Sequence, residues 1–290
     1  MNTFGIVFAI IAMFAWGFGD YFIQKSTRTL GNWETLCIIS GLGVLILLPF
    51  AFHTTIHLLI SAPQTITILT LASVVLLFGA LLEFEALKEG KLSVVEPIWS
   101  TEIISSVFLA FLVLKESLAL GTLITIAFLI MGLCLISIQK WGMVRKMLFE
   151  RAALIALVSA IVMGGANFMI GLSSRLSDPF VTNFYTSAVL FGISFVYLWW
   201  HGLLGSTWKS ISSHPGGTLR MALLDNGAWI AFALAMTLAP IGIAVALSES
   251  YIIIAVLLGL FKNKEQLTFS QKIGLGIAVV SAIVLAGKGW

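Results

Sequence analysis

Ten stretches of apolar sequence, each about as long as a bilayer is thick, follow one another with little between them, and that pattern leaves a soluble fold no room. They run over 3–22, 33–52, 66–87, 93–114, 119–138, 152–172, 180–200, 219–238, 241–261 and 270–287. At 1.5 Å rise, about 20 helical residues cover a hydrocarbon core of roughly 30 Å. Ten such spans take up about 200 residues, so the connections are short and no soluble domain fits between them. Charged residues make up 10% of the chain and hydrophobic ones 59%, against roughly 25% charged in a soluble domain. The fold class is therefore an all-α polytopic membrane protein with ten transmembrane helices.

The net charge of +3 is small and the basic residues are scattered between apolar runs, which excludes a nucleic-acid surface. Cys37 and Cys134 lie inside apolar runs and read as small buried residues. Met1, Asn2 and Thr3 lack a basic leader, so the first helix is expected to stay in the protein. Thirteen of the lysines and arginines fall on one side of the ten-span pattern, with only Lys115, Arg175 and Lys288 on the other. Positive flanks are retained in the cytoplasm, so this bias places both termini outside.

The two halves align on each other. A shift of 147 places Gly17 on Gly164, Asp20 on Asn167, Arg28 on Arg175 and Thr35 on Thr182; a shift of 149 places Lys115–Leu118 on Lys264–Leu267. Residues 1–140 and 152–290 then form two five-helix repeats joined by a basic linker, 141–151. Because five is odd, the second repeat enters the membrane inverted, the plan of many secondary transporters, whose sites lie near mid-membrane between the halves. Small residues at every fourth position, Ala152, Ala156, Ala160 and Gly164, and Gly274, Ala278, Ala282 and Ala286, form flat stripes for close helix contact.

The chemistry resides in acids buried in apolar sequence. An ionisable group at that depth costs at least ~2.5 kcal/mol and is normally turned toward a bundle interior or a water-filled path. Glu102 and Glu249 come within a turn of their segment centres and Asp225 slightly farther; Asp20, Glu83 and Glu96 lie toward the lysine-rich side. The first group is expected to form a central site and the second an entrance. On the fourth segment Glu96, Trp99, Ser100, Glu102 and Ser106 share an arc of about 160°. Aromatic and amide residues accompany the acids: Trp16 and Tyr21 around Asp20, Trp99 beside Glu102, Asn226 and Trp229 after Asp225, Tyr251 after Glu249, and Asn167 as the repeat partner of Asp20. Aromatic faces can hold rings, sugars or organic cations, and a carboxylate that gains and loses a proton as access alternates meets the requirement for proton coupling. Glu85, three residues before Lys88, reads instead as an interfacial ion pair. Tryptophans near segment ends, Trp33 among them, read as interfacial anchors. His53 and His57 have a helical metal-ligand spacing but no third ligand, so no metal and no cofactor is expected. There is no GxxxxGK[ST], GxSxG or HExxH motif, which removes the usual support for ATP-driven transport and for the common hydrolases.

Trp16–Gly17 in the first span, Glu96–Pro97 entering the fourth and Lys115–Glu116 at its exit, set in two five-helix halves, resemble the EamA family of the drug/metabolite transporter superfamily. The resemblance covers essentially the whole chain. It implies a multi-pass inner-membrane carrier, not an enzyme, that moves small metabolites such as amino acids, sugars, nucleobases or organic cations by alternating access, as a monomer or homodimer. The second half departs from the pattern, with Val245 and Ala246 where the first has Glu96 and Pro97, so the halves offer unequal ligands. Ten-helix members are usually drawn with both termini in the cytoplasm, opposite to the charge count of this chain. A lipid-linked flippase component or membrane enzyme would instead show a lateral, lipid-facing opening, and a passive channel would never accumulate substrate against a gradient.

Overall fold

The computed structural model describes residues 3–90, 95, 98–137, 150–213, 215–254, 257 and 267–287. Glu96, Pro97, the linker up to residue 149 and Lys264–Glu265 lie outside the described residues. Within them every regular element is helical: α1 (Thr3–Thr29), α2 (Asn32–Ser61), α3 (Pro63–Glu89), α4 (Glu102–Leu114), α5 (Leu120–Ser137), α6 (Arg151–Leu176), α7 (Pro179–Trp200), α8 (Leu204–Ser213), α9 (Pro215–Leu238), α10 (Ile241–Ser248) and α11 (Phe269–Gly287). Seven of these, α1, α2, α3, α6, α7, α9 and α11, are long and apolar enough to cross a membrane, and α4, α5 and α10 contribute shorter apolar helices.

Local chemistry sets the ends. Gly31 joins α1 to α2 at φ 122°, a conformation open to glycine but strained for other residues. Asp178 caps α7, its Oδ1 accepting from the backbone N–H groups of Phe180 and Val181 at 2.7 and 3.2 Å, with Pro179 in the first turn. Lys115 closes α4 in the left-handed region at φ 58°.

Two of the expected spans are interrupted. Segment 93–114 turns at Ser100–Thr101 before α4 begins, and segment 241–261 turns at Glu249–Ser250 before the chain becomes helical again at Tyr251. The interruptions match under the shift of 149. Thr101 N–H donates to Ile98 O and Ile104 N–H to Thr101 O at 3.1 and 3.0 Å; Ser250 N–H donates to Leu247 O and Ile253 N–H to Ser250 O at 3.2 and 2.9 Å. Hydroxyls add to the turns, Thr101 Oγ1 donating to Ile98 O at 2.6 Å and Ser250 Oγ to Ala246 O at 2.8 Å. Broken backbone at this depth is tolerated only where it faces protein or a cavity.

The most extensive helix pairings, α1 with α9, α3 with α6, α2 with α7 and α5 with α11, each join one half of the chain to the other. Lipid tails are as apolar as leucine, so close backbone approach drives such packing more than hydrophobicity does. A Cβ on Gly164 would meet Ser105 Cβ and the Glu102 carbonyl; one on Gly17 would meet Ile254 Cβ and the Tyr251 carbonyl, the same two contacts carried over by the repeat. Gly132 of α5 lies against the backbone of Gly274 and Ala278 on α11, which gives the second small-residue stripe its partner.

The end of the bundle carrying Glu116 and Arg175 is tied shut. The Arg175 guanidinium donates to Glu116 Oε1 and to the carbonyls of Met236 and Ala239, the latter two at 2.8 Å. Glu116 Oε2 accepts the first N–H of α10, from Ile241, at 3.0 Å. Four helix ends from both halves therefore converge on one ion pair. Arg28, the repeat counterpart of Arg175, donates in the same way to Lys88 O and Gly90 O.

Candidate functional site

α1, α3, α6, α9 and the two interrupted segments surround a cavity within the bundle, with α2 and α7 completing the wall. Its lining includes Asp20, Glu83, Glu102, Asp225 and Glu249, three tryptophans, Trp16, Trp99 and Trp229, and Asn167 and Tyr251. No lysine or arginine belongs to that lining among the described residues. Ile23, Leu36 and Leu87 extend it toward the helix ends that carry Lys25, Arg28 and Lys88, away from the Glu116–Arg175 tie.

The turns explain how two carboxylates from different halves meet. Glu249 occupies the interruption after α10, whereas Glu102 follows the matching interruption as the first residue of α4. Asn167 of α6 sits between them, its Nδ2 donating to Glu102 Oε2 at 3.2 Å and to Glu249 Oε1 at 3.4 Å. Glu102 is 2% exposed and Asn167 1%. Ser106 Oγ donates to Gly164 O at 2.8 Å, one turn from Asn167, and fixes the register of α4 on α6. The Glu83 carboxyl meets that of Glu102. Glu102 Oε1 receives no hydrogen bond among the described residues.

The opposite wall is aromatic. Trp16 lies edge-on to Trp229 at 5.3 Å between centroids and to Phe232 at 5.1 Å, and Trp229 meets Phe232 at 5.8 Å. The Trp16 side chain hydrogen-bonds Asp225, so indole and carboxylate form one unit. Aromatic pairs in this arrangement hold one another in place.

Among the described residues, those assigned from sequence to a centre and to an entrance share this one cavity. Glu83, placed at the entrance by its distance from a segment centre, meets Glu102, because both side chains project into the same cavity from different helices and depth along one helix does not translate into depth along another. Asp20 lines the same space, and Glu96 lies outside the described residues. Asn226 lines the cavity, but its Nδ2 donates to Ile39 O at 2.9 Å and Ala222 O at 2.8 Å, so it joins α9 to α2. Tyr21 turns away, 61% exposed and edge-on to Phe22: at 100° per residue it projects from a different face than Asp20. Glu85 accepts from Asn32 Nδ2 at 2.7 Å in place of the expected pair with Lys88, since α2 folds back beside it. Trp33 stacks on Tyr197 at 4.2 Å and ties α2 to α7. Phe232 was missed; its position three residues after Trp229 was the available signal. The Glu116–Arg175 pair was missed as well, although both residues figure in the repeat alignment.

The EamA-like transporter family model matches residues 3–138 and again 150–287. The chain belongs to the EamA-like transporter family. It is thus a multi-pass membrane protein of the drug/metabolite transporter superfamily, with one copy of the EamA unit in each half. An uncharacterized protein of Methanocaldococcus jannaschii is 32% identical over 143 residues, which cover 48% of this chain and all of that protein. A crystal structure of a protein 13% identical in sequence superposes with a TM-score of 0.74 over 98% of this chain and 96% of its own, a likeness of fold alone.

Proposed function

We propose that this EamA protein is a secondary transporter that moves a small polar or cationic metabolite by alternating access, with Glu102, Glu249 and Asp225 binding the substrate or a coupling proton. The observation that carries this reading is the composition of the cavity wall: five carboxylates and three tryptophans with no basic residue among the described lining. Uncompensated negative charge opposes anionic ligands and favours cations, and aromatic faces add attraction for a cation through the ring quadrupole. In this reading residues 1–140 and 152–290 are inverted repeats of five spans each, with 141–151 as the linker. A relative whose whole length matches half of this chain supports the treatment of one half as a unit.

The charge bias favours a cytoplasmic-membrane protein with the lysine-rich end inside and both termini outside, so the cavity faces the cytoplasm while Glu116 and Arg175 close the far side. Transport then requires that tie to break as the lysine-rich end closes.

The test is uptake by the purified protein in proteoliposomes, with and without a pH gradient, for an amine identified by thermal stabilisation, since a ligand that binds only the folded state raises its apparent stability. Glu102→Gln and Glu249→Gln are expected to abolish transport while leaving the melting temperature within a few degrees of wild type. Unchanged flux and an unchanged pH profile in both variants would overturn the assignment, and failure to accumulate any substrate against its gradient would indicate a channel.

A further inference from the structure

Two polar atoms in the cavity wall lack the hydrogen-bond partners that their burial demands, and together they describe a ligand. Trp99 is 3% exposed, and its Nε1–H makes no hydrogen bond among the described residues. An indole N–H is a donor only, and burying such a donor unpaired carries the desolvation penalty of an unmade hydrogen bond. Glu102, three residues along the same interrupted segment, offers Oε1, which receives no N–H. The pair therefore offers one neutral donor and one acidic acceptor from residues three apart that flank the Ser100–Thr101 turn. Both side chains line the cavity.

A simple amine satisfies Glu102 and leaves the indole unpaired. A zwitterionic amino acid satisfies both but brings its carboxylate among Glu83, Glu102, Glu249 and Asp225, with no described lysine or arginine in the lining to offset it. Ligand carboxylates are normally met by cations or several N–H donors; this wall supplies one free indole. What fits is an ammonium group with an uncharged oxygen on a neighbouring carbon.

Resting on the reading of this cavity as the substrate site, we infer that it selects vicinal amino alcohols over both plain amines and zwitterionic amino acids, the ammonium on Glu102 and the hydroxyl oxygen accepting from Trp99 Nε1–H. Trp16 and Trp229, held in place by Phe232 behind them, supply an aromatic surface for the carbon skeleton.

Calorimetric titration of the purified wild-type protein with phenylalaninol, 2-phenylethylamine and phenylalanine tests this directly. Phenylalaninol should bind roughly tenfold tighter than 2-phenylethylamine, the value of one hydrogen bond of about 1.4 kcal/mol, and phenylalanine should bind weakest. Trp99→Phe, which keeps a ring and removes the donor, should bring the affinity ratio of phenylalaninol to 2-phenylethylamine from about tenfold to near one, whatever happens to the absolute affinity for either; a ratio still near tenfold in the variant overturns the role of the indole. Equal binding of phenylalaninol and 2-phenylethylamine by the wild type overturns the inference with no variant needed, as does phenylalanine binding at least as tightly as phenylalaninol. Either of those results, with amine binding intact, leaves the cationic transporter reading standing; no binding of any amine would remove both.

Discussion

Gly164 is where the site is most sensitive to a single methyl group. A Cβ at that position would stand 2.5 Å from Ser105 Cβ and 2.6 Å from the Glu102 carbonyl oxygen, where ordinary contact begins near 3.4 Å. α4 and α6 would have to separate by roughly 0.9 Å, because both opposing atoms belong to or adjoin backbone and cannot rotate away. The methyl group gains about 1 kcal/mol in helix propensity, while overpacking costs about 1–3 kcal/mol; with fixed opposing atoms the upper end applies, for a net loss near 2 kcal/mol. The same separation lengthens the Asn167–Glu102 bond, already 3.2 Å, out of hydrogen-bonding range. Gly164→Ala should therefore lower the melting temperature by several degrees and suppress transport together. Gly17→Ala, at the equivalent crossing, meets Ile254 Cβ at 2.8 Å and the Tyr251 carbonyl oxygen at 3.2 Å, a smaller overlap, and should lose less of both. Gly192→Ala, with nothing within 4 Å, is the control and should melt at or slightly above wild type. A Gly164→Ala protein with wild-type melting and wild-type flux would refute the argument that this crossing positions Glu102.

Two further predictions follow from the same contacts. Asn167→Leu removes the amide that bridges Glu102 and Glu249; each buried acceptor that loses a partner costs about 1–3 kcal/mol, so melting should fall and substrate affinity should drop at least tenfold, read by titration of the stabilising ligand, whereas Asn167→Gln should retain part of both. At the closed end, a double-mutant cycle on Glu116→Gln and Arg175→Lys should return a coupling of about 1 kcal/mol or more in chemical denaturation, with the lysine variant unable to substitute, because three acceptors converge on a planar guanidinium; additive single effects would show that the tie does not join the two halves.

Much of this architecture was legible one residue at a time. Hydropathy and span length follow from the solvent, since a bilayer requires apolar surface over a fixed distance and backbone hydrogen bonds within each segment. The repeat was visible because the two EamA units keep their residue spacing: Gly17 and Gly164 align in sequence and make the same contact in space. Acids were conspicuous because hydrocarbon penalises them wherever they point. By contrast, Tyr21 and Asn226 show that adjacency to a carboxylate does not decide whether a side chain reaches a cavity or a neighbouring helix.

By itself the sequence determined the membrane class, the helical content, the two-unit organisation and the identity of the carboxylates, all consequences of composition and periodicity along the chain. Only the tertiary structure decided that Glu83 belongs with Glu102, that Asn167 joins a carboxylate from each half, that both crossing segments break at the same register, and that Arg175 closes one end of the bundle. These depend on which helices pack together and at what height, and such relations are set by backbone approach between helices at glycines, which is not encoded within a single span.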